Sequence, residues 1–217
     1  SWPWVSEKWI PILFISSNHQ GMSRNITLWR KQTSFHVRMQ KESLTTGNAP
    51  RFNIANMAFQ PIQFRKLVVR PVLQHLNPEI PYSTQAEELI MFTVAHESDM
   101  GTFLAQYPKN GPAKGISMIE ERTFNWLTAL LPSKTALNVK FVTLSTSRPY
   151  FDFSELSWNL ALAVAFTRLR YFVVQERLPL ESSGVEGLAS YWARYYQSEN
   201  DPVKIKEAIA DYRRFVY

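Results

Sequence analysis

The sequence predicts a mainly α-helical domain with one small β element, preceded by an extended N-terminal arm. From Phe64 onward, apolar residues recur at helical spacing through most of the chain, and a single segment, Asn138–Leu144, has the residue types of a strand. Residues 1–56 show neither a sustained helical period nor a sustained strand period. We therefore divide the chain into an arm, residues 1–56, and a domain, residues 57–217.

The elements of the domain are predicted in chain order. Phe64–Leu76 has helical spacing and contains Pro71, which predicts a break or a kink. The next helix ends at Ser98 and opens with a capping box formed by Thr84 and Glu87. Further helices are predicted at Arg122–Leu131, Ser154–Gln175, Gly184–Gln197 and Pro202–Val216, with the Asn138–Leu144 strand between the first two.

The composition is that of a folded protein and excludes several classes of site. Of 217 residues, 45% are hydrophobic and 19% are charged, which is enough apolar surface for a full core. Cysteine is absent, so disulfides and thiolate metal sites are excluded. The histidines lack the paired spacing of a zinc site, and we expect neither a metal nor a cofactor. No apolar run approaches the ~18 residues of a membrane span.

The net charge of +6 belongs mostly to the arm. Residues 1–56 hold seven basic and two acidic side chains, whereas residues 57–217 hold 17 basic and 16 acidic ones. A basic arm can bind phosphates, but this excess is modest and no nucleic-acid-binding motif accompanies it. We therefore expect the arm to contact acidic surfaces of other proteins in an assembly, and we do not predict a nucleic-acid partner.

Glu97 is the residue most indicative of function, because a carboxylate stands where the helical pattern calls for an apolar side chain. The apolar stripe of its helix consists of Ala86, Leu89, Ile90, Thr93 and Val94, and Glu97 is next on that face. A charge in that place is costly unless it is paired or used. Apolar surroundings raise the pKa of a carboxyl, as a general acid near neutral pH requires. The alternative is that Glu97 ends its helix at the surface or pairs with Arg122 or another arginine.

Several motifs, in order, resemble the active-site pattern of the lysozyme-like lytic transglycosylase superfamily. They are His96-Glu97-Ser98, the glycine-containing turn at residues 111–120, and the segments Trp158–Ala163 and Leu188–Tyr196. Phage proteins that carry this domain are similar in two further segments, Arg65–Leu73 and Tyr212–Val216. The resemblance covers about residues 60–217 and leaves the arm unexplained.

The resemblance implies a lysozyme-like α+β fold and cleavage of the β-1,4 bond between N-acetylmuramic acid and N-acetylglucosamine in peptidoglycan. Glu97 would protonate the leaving oxygen and then act as base while the muramoyl 6-hydroxyl closes an anhydro ring. A second carboxylate is not obligatory, because the N-acetyl group of the substrate can stabilise the positive charge. A lysozyme-type glycosidase that uses water instead is a variant of the same chemistry, and Glu120 or Glu121 could then supply a second carboxylate.

The resemblance also implies a set of substrate-binding positions. Ser98 would orient the carboxyl or the end of its helix, and Gly115 would let the backbone approach the glycan. Tyr191 and Tyr195 would support the cleft, although the same stretch could mainly be core packing. The remaining expected positions are Met118, Glu120 and Asn159.

Met118 departs from the family pattern and leaves two hypotheses open beside a third, a glycan-binding module that uses the same cleft without turnover. Family members place a glutamine there, whose amide bonds the N-acetyl group of the substrate, whereas a thioether accepts weakly and donates nothing. The first hypothesis is a phage virion-associated enzyme, made in the host cytoplasm, that opens the cell wall during genome entry. The second is a structural virion or tail protein that keeps the fold while its catalysis has decayed. In both cases the arm would contact other virion proteins.

Overall fold

The computed structural model describes residues 9–17, 23–31, 59–106, 111–197 and 200–217. The chain divides into two compact units, Ser1–Arg51 and Phe52–Tyr217, and each is described by itself.

The first unit contains a two-stranded antiparallel sheet. Strand β1 (Trp9–Ser17) pairs with β2 (Ser23–Lys31), with Trp9 opposite Lys31. The expectation that residues 1–56 have no strand period is therefore wrong for these two segments. Strand β1 is an apolar run that contains Pro11, so it lacks the alternation of apolar and polar residues by which a half-buried strand is recognised. The other residues of the predicted arm lie outside the described residues.

The second unit is mainly helical, as the sequence predicts. Its α-helices are α1 (Pro61–Phe64), α2 (Arg70–Leu76), α3 (Thr84–Ser98), α4 (Glu121–Leu130), α5 (Thr135–Leu144), α6 (Leu160–Phe172), α7 (Gly184–Trp192) and α8 (Pro202–Val216). Two π-helical stretches adjoin them, Arg65–Val69 between α1 and α2 and Ala193–Gln197 after α7, and 3-10 turns lie at Phe153–Ser157 and Glu181–Ser183. Strands β3 (Ala113–Lys114) and β4 (Ile119–Glu120) form a short antiparallel hairpin.

The strand predicted at Asn138–Leu144 is wrong, because these residues belong to helix α5. Leu137 and Phe141 lie four residues apart and are both buried, so one face of a helix packs on the core while Val139 remains exposed. Packing thus overrides the strand propensity of the β-branched residues. The small β element of the domain is instead the β3–β4 hairpin.

Two helix starts also differ from the prediction. Ser83, rather than Thr84, caps α3, since the Oγ of Ser83 accepts a hydrogen bond from the backbone N–H of Ala86 at 3.1 Å. The helix predicted from Ser154 begins at Leu160, because the side chain of Asn159 caps it by accepting from the backbone N–H of Leu162 at 3.1 Å. In both cases a short polar side chain caps the first turn of the helix.

Helix α3 lies at the centre of the domain, packed against α6, α7 and α8. Every residue from Leu89 to Ala95 is almost completely buried, so the helix is enclosed on all sides rather than along one stripe. Near its beginning, the carboxylate of Glu87 accepts hydrogen bonds from Arg70 and from the Tyr82 hydroxyl, both at 2.7 Å. These contacts, and not a capping box, are the role of Glu87.

A second buried carboxylate, Glu155, holds the loop between α5 and α6. It is 1% exposed and accepts hydrogen bonds from the backbone N–H groups of Thr146 at 3.1 Å and Ser147 at 2.8 Å, and from the Asn159 amide at 3.1 Å. Burial acts to raise the pKa of Glu155, but these hydrogen bonds outweigh it and lower the pKa to about 2. The loop is therefore built around an ionised carboxyl.

We expect Glu155 to make the stability of the domain depend on pH. Because its folded pKa lies below the ordinary value of 4.5, the stabilisation is complete above that value and is lost as the pH falls toward about 2. Glu155→Gln should lower the free energy of unfolding by about 1–3 kcal/mol at pH 7 and by much less at pH 3. Urea unfolding at both pH values measures this, with the exposed Glu181→Gln as control. An equal loss at the two pH values would contradict it.

Candidate active site

An open cavity of about 580 Å³ lies in the second unit and reaches the end of helix α3. Side chains from five parts of the chain line it: the end of α3, the segment after it, the β3–β4 hairpin with the start of α4, helix α6, and the π-helical stretch after α7. The lining includes Glu97, Met118, Glu120, Arg122, Arg170, Tyr196 and Gln197. Residues 100 positions apart, Glu97 and Gln197, thus meet at one place.

The end of helix α3 brings Glu97 to the cavity. The helix stops at Asp99, which adopts a left-handed conformation with φ 48° and whose backbone N–H bonds to the carbonyl of Val94. Ser98 is fully buried; its Oγ donates to the Val94 carbonyl and accepts from the Gly101 N–H, both at 3.0 Å. Ser98 therefore fixes the helix end and the turn after it, and it does not line the cavity.

Two neutral donors hold the carboxyl of Glu97. Its Oε1 accepts hydrogen bonds from Nε2 of Gln197 at 2.7 Å and from the indole Nε1 of Trp192 at 3.2 Å. Since both bonds fall on one oxygen, Oε2 is the oxygen that can carry a transferable proton. This arrangement suits a protonated acid, whose carbonyl oxygen accepts while its hydroxyl remains available.

The π-helical stretch explains how Trp192 and Gln197 reach the same atom. The two residues are five positions apart, which in a regular α-helix of 3.6 residues per turn places side chains roughly 140° from one another. The wider i→i+5 winding of Ala193–Gln197 brings them to one side. The change of winding is therefore what completes the surroundings of Glu97.

Burial raises the pKa of Glu97. The hydrogen bond from Gln197, the charge of His96, the hydrogen bond from Trp192 and the charge of Arg170 all act in the opposite direction, but burial outweighs them. Part of the side chain remains accessible through the cavity, yet the protein packed around the carboxyl is dense enough to desolvate it. A carboxyl whose pKa is raised keeps its proton to a higher pH than an exposed one, as a group that acts first as acid and then as base requires.

His96 supports this arrangement from behind. Its Nδ1 lies 2.7 Å from Oδ2 of Asp211, and its ring packs edge-on against the Trp192 indole with centroids 4.8 Å apart. Burial acts to lower the pKa of His96, but the Asp211 hydrogen bond and the charges of Glu97, Asp211 and Glu207 raise it overall. His96 thus fixes the indole that in turn bonds Glu97.

Another part of the cavity lining comes from the turn between β3 and β4. Met118 has φ 47°, and its backbone N–H bonds to the carbonyl of Gly115 at 3.1 Å. Gly115 has φ 79°, and a Cβ there would lie 2.7 Å from the Leu156 carbonyl oxygen, so only glycine fits. The close approach at Gly115 is to the protein itself, and the thioether of Met118 is what this turn presents to the cavity.

Of the predicted site residues, Glu97, Met118 and Glu120 line the cavity. Ser98 and Gly115 support its walls from inside the protein. Asn159 caps α6 and donates to the Leu144 carbonyl at 2.8 Å, away from the cavity.

Tyr191 and Tyr195 lie elsewhere. They line a separate surface hollow together with Arg194, and the Tyr191 hydroxyl donates to the Glu176 carbonyl at 3.1 Å. The residues of that segment that meet Glu97 and the cavity are instead Trp192, Tyr196 and Gln197. An α-helical period does not reveal them, because the chain changes its winding there.

Arg170 is a second cavity residue that the sequence analysis did not identify. Its Nη2 donates to the Tyr196 carbonyl, and its guanidinium carbon lies 3.8 Å from the Tyr196 ring centroid. The Tyr196 hydroxyl donates in turn to the Ser117 carbonyl at 2.6 Å. A signal that could have found Arg170 is the one that found Glu97, a charge within a mainly apolar helix, although it marks Arg168 of α6 equally.

Other kinds of site find no support in the described ranges. They contain no group of three or more His, Asp or Glu side chains placed to hold a metal ion. None of the described helices is long and apolar enough to cross a membrane. Compared with protein-family models, with curated proteins and with solved structures, the chain matches none of them.

We expect Gln197 to control the protonation of Glu97. Replacing it with leucine removes a hydrogen bond that lowers the pKa of Glu97, so that pKa should rise further. Carboxyl ¹³C chemical shifts followed through a pH titration of Glu-labelled protein measure it. Gln175→Leu, at an exposed position, is the control. An unchanged or lower pKa in Gln197→Leu would show that the hydrogen bond does not govern this carboxyl.

Proposed function

We propose that the protein cleaves the β-1,4 bond between N-acetylmuramic acid and N-acetylglucosamine in peptidoglycan, with Glu97 as acid and base. The observation that carries the proposal is a carboxyl of raised pKa in the wall of an open cavity, with one oxygen bonded to neutral donors and the other left for the proton. The order of the surrounding sequence motifs supports the same chemistry. A cavity of about 580 Å³ has the volume of small-molecule sites and is large enough for sugar rings.

In the proposed reaction, Oε2 of Glu97 gives its proton to the glycosidic oxygen while the bond from that oxygen to C1 breaks. The carbonyl oxygen of the substrate's own N-acetyl group attacks C1 and stabilises the positive charge there. The Glu97 carboxylate then takes a proton from the hydroxyl that attacks C1. Attack by the 6-hydroxyl of the same sugar breaks the bond between C1 and the acetamido oxygen and gives an anhydro product, whereas attack by water breaks the same bond and gives a reducing end.

Gln197 and Trp192 hold the carboxyl during both proton transfers. Bonds to Oε1 at 2.7 and 3.2 Å restrict rotation of the Glu97 side chain, so Oε2 keeps one orientation. Glu120 is exposed and also lines the cavity, which makes it the candidate for a second carboxylate in the water-dependent variant. Glu121 is exposed and is not part of the cavity lining.

The setting that we propose is a phage particle acting on the bacterial cell wall. Its support is the likeness of Arg65–Leu73 and Tyr212–Val216 to phage proteins that carry this domain. In the fold these two segments meet at Glu88, which Arg65 binds with Nη2 at 2.9 Å and to which Tyr212 donates its hydroxyl hydrogen bond. The pair of motifs thus joins the beginning and the end of the domain.

Met118 is the observation that favours the second candidate, a virion protein that keeps the fold without catalysis. Its thioether lines the cavity where an amide would be able to donate and accept hydrogen bonds. Glu97 and its two donors are the observation against that candidate, since a buried acid without use costs stability.

The products of digestion test the enzyme proposal. Purified protein incubated with peptidoglycan should release muropeptides, and Glu97→Gln should reduce the rate by about 100-fold or more because the proton donor is lost. Anhydro ends would establish a transglycosylase and reducing ends a hydrolase. Glu121→Gln removes an exposed carboxylate outside the cavity and should act like the parent protein. No products from the parent would refute the enzyme proposal and favour the structural one.

Met118→Gln should raise the cleavage rate about two- to tenfold if the missing amide limits substrate binding, which is the range of one neutral hydrogen bond. Met118→Leu is the matched control, because it keeps the size of the side chain without an amide. Initial rates and melting temperatures of the three proteins are compared, so that a change in folding is recognised. A rate that stays equal or falls in Met118→Gln would count against this role.

A further inference from the structure

Two arginines share the cavity with Glu97. Arg122 projects from the start of helix α4 and is exposed, whereas Arg170 comes from α6 and is half-buried. The carboxylates of the same lining are Glu97 and the exposed Glu120. The cavity therefore combines a buried acid with two positive charges.

Arg170 is fixed in place without being neutralised. Its hydrogen bond to the Tyr196 carbonyl and its stacking at 3.8 Å on the Tyr196 ring hold the guanidinium by uncharged groups. A guanidinium has five N–H donors, so others remain for a ligand. Its charge reaches Glu97, whose pKa it acts to lower.

Within the described part of the chain, neither Arg122 nor Arg170 forms an ion pair with a carboxylate. The residues that line the cavity all belong to that part. Other arginines of the domain do so: Arg65 pairs with Glu88, Arg70 with Glu87 and Arg213 with Glu186. The surroundings differ, since Arg65 and Arg70 bond carboxylates of helix α3 whereas Arg122 and Arg170 line the open cavity.

The protonation of Glu97 adds to this imbalance. When Glu97 carries its proton, as an acid must before it reacts, the lining retains two positive charges and only the charge of Glu120 against them. A ligand with a negative group near the arginines would restore the balance. Arginine is the side chain best suited to bind a carboxylate, because its planar fork bonds both oxygens.

We propose that Arg122 and Arg170 bind a carboxylate of the substrate, so that the cavity selects glycans whose sugars carry carboxylates over neutral glycans of the same length. The inference rests on the proposed function for the glycan itself. The carboxylate can come from the lactyl group of a sugar without its peptide or from a peptide stem. Arg122 and Arg170 are then specificity-determining residues, while Glu97 performs the chemistry.

Binding without turnover tests the proposal. In a Glu97→Gln background, calorimetry measures the affinity for three glycans of equal length: a neutral N-acetylglucosamine oligomer, a peptidoglycan strand with free lactyl carboxylates, and a strand with peptide stems. We expect Arg122→Gln and Arg170→Gln each to weaken binding of a carboxylate-bearing strand about tenfold, as for a charge-assisted hydrogen bond. Affinity for the neutral oligomer should stay within about twofold. Which charged strand loses affinity identifies the source of the carboxylate.

Arg194→Gln is the matched control. Arg194 belongs to the π-helical stretch Ala193–Gln197, is exposed, and lies over the Tyr195 ring at 5.7 Å. It is outside the cavity lining. Its replacement removes the same charge and should leave all three affinities unchanged. Arg170→Lys keeps the positive charge but replaces the guanidinium that stacks on Tyr196. It therefore separates the effect of the charge on binding from the effect of the Tyr196 contact.

Each result decides the question. An equal loss for neutral and charged glycans, or no loss in either variant, would overturn the role of the arginines even if the parent protein cleaves peptidoglycan. Selective loss for charged strands supports that role even if the parent protein proves to have no cleavage activity. Absence of binding to all three glycans would overturn the carboxylate proposal, and the digestion assay would then judge cleavage separately.

Discussion

The middle of helix α3, from Leu89 to Ala95, is enclosed on every side, and the buried polar groups of this helix find their partners inside the protein. The hydroxyl of Thr93 donates to the Leu89 carbonyl within its own helix and lies 2.7 Å from the Tyr171 hydroxyl of α6. Near the beginning of α3, Glu87 accepts a hydrogen bond from Arg70 of α2. At its end, Glu97 accepts one from Gln197 of the π-helical stretch. Polar groups of one buried helix thus fix the positions of the neighbouring helices.

The partners of the three α3 glutamates decide what each carboxyl can do. Burial acts to raise the pKa of all three, but hydrogen bonds and charges from Arg70 and Arg65 lower the pKa of Glu87 and Glu88 overall. Glu97 is bonded by an amide and an indole instead, and its pKa is raised. One helix therefore carries two carboxyls that stay ionised and support the fold, and one that can exchange a proton.

The sequence predicted the mainly helical fold and the anomaly at Glu97, because both depend on helical periodicity over many residues. It failed where a local choice was decided by distant contacts. Asn138–Leu144 is rich in β-branched residues, yet the burial of Phe141 makes it helical. The partners Trp192 and Gln197 were not predicted, because nothing in the local pattern marks a change from i→i+4 to i→i+5 winding. The function suggested by the motif resemblance stays a proposal.

The two sides of the cavity are coupled through charge. Arg170 acts to lower the pKa of Glu97 and so opposes the effect of burial. A ligand carboxylate bound at Arg170 would offset that charge, and the pKa of Glu97 would then rise further. The proton would thus be held more firmly when a charged substrate is present and shared more readily with water when it is not. The same arginine would therefore set both the specificity for a charged substrate and the acidity of Glu97. It can do so because no carboxylate of the described cavity lining forms an ion pair with it.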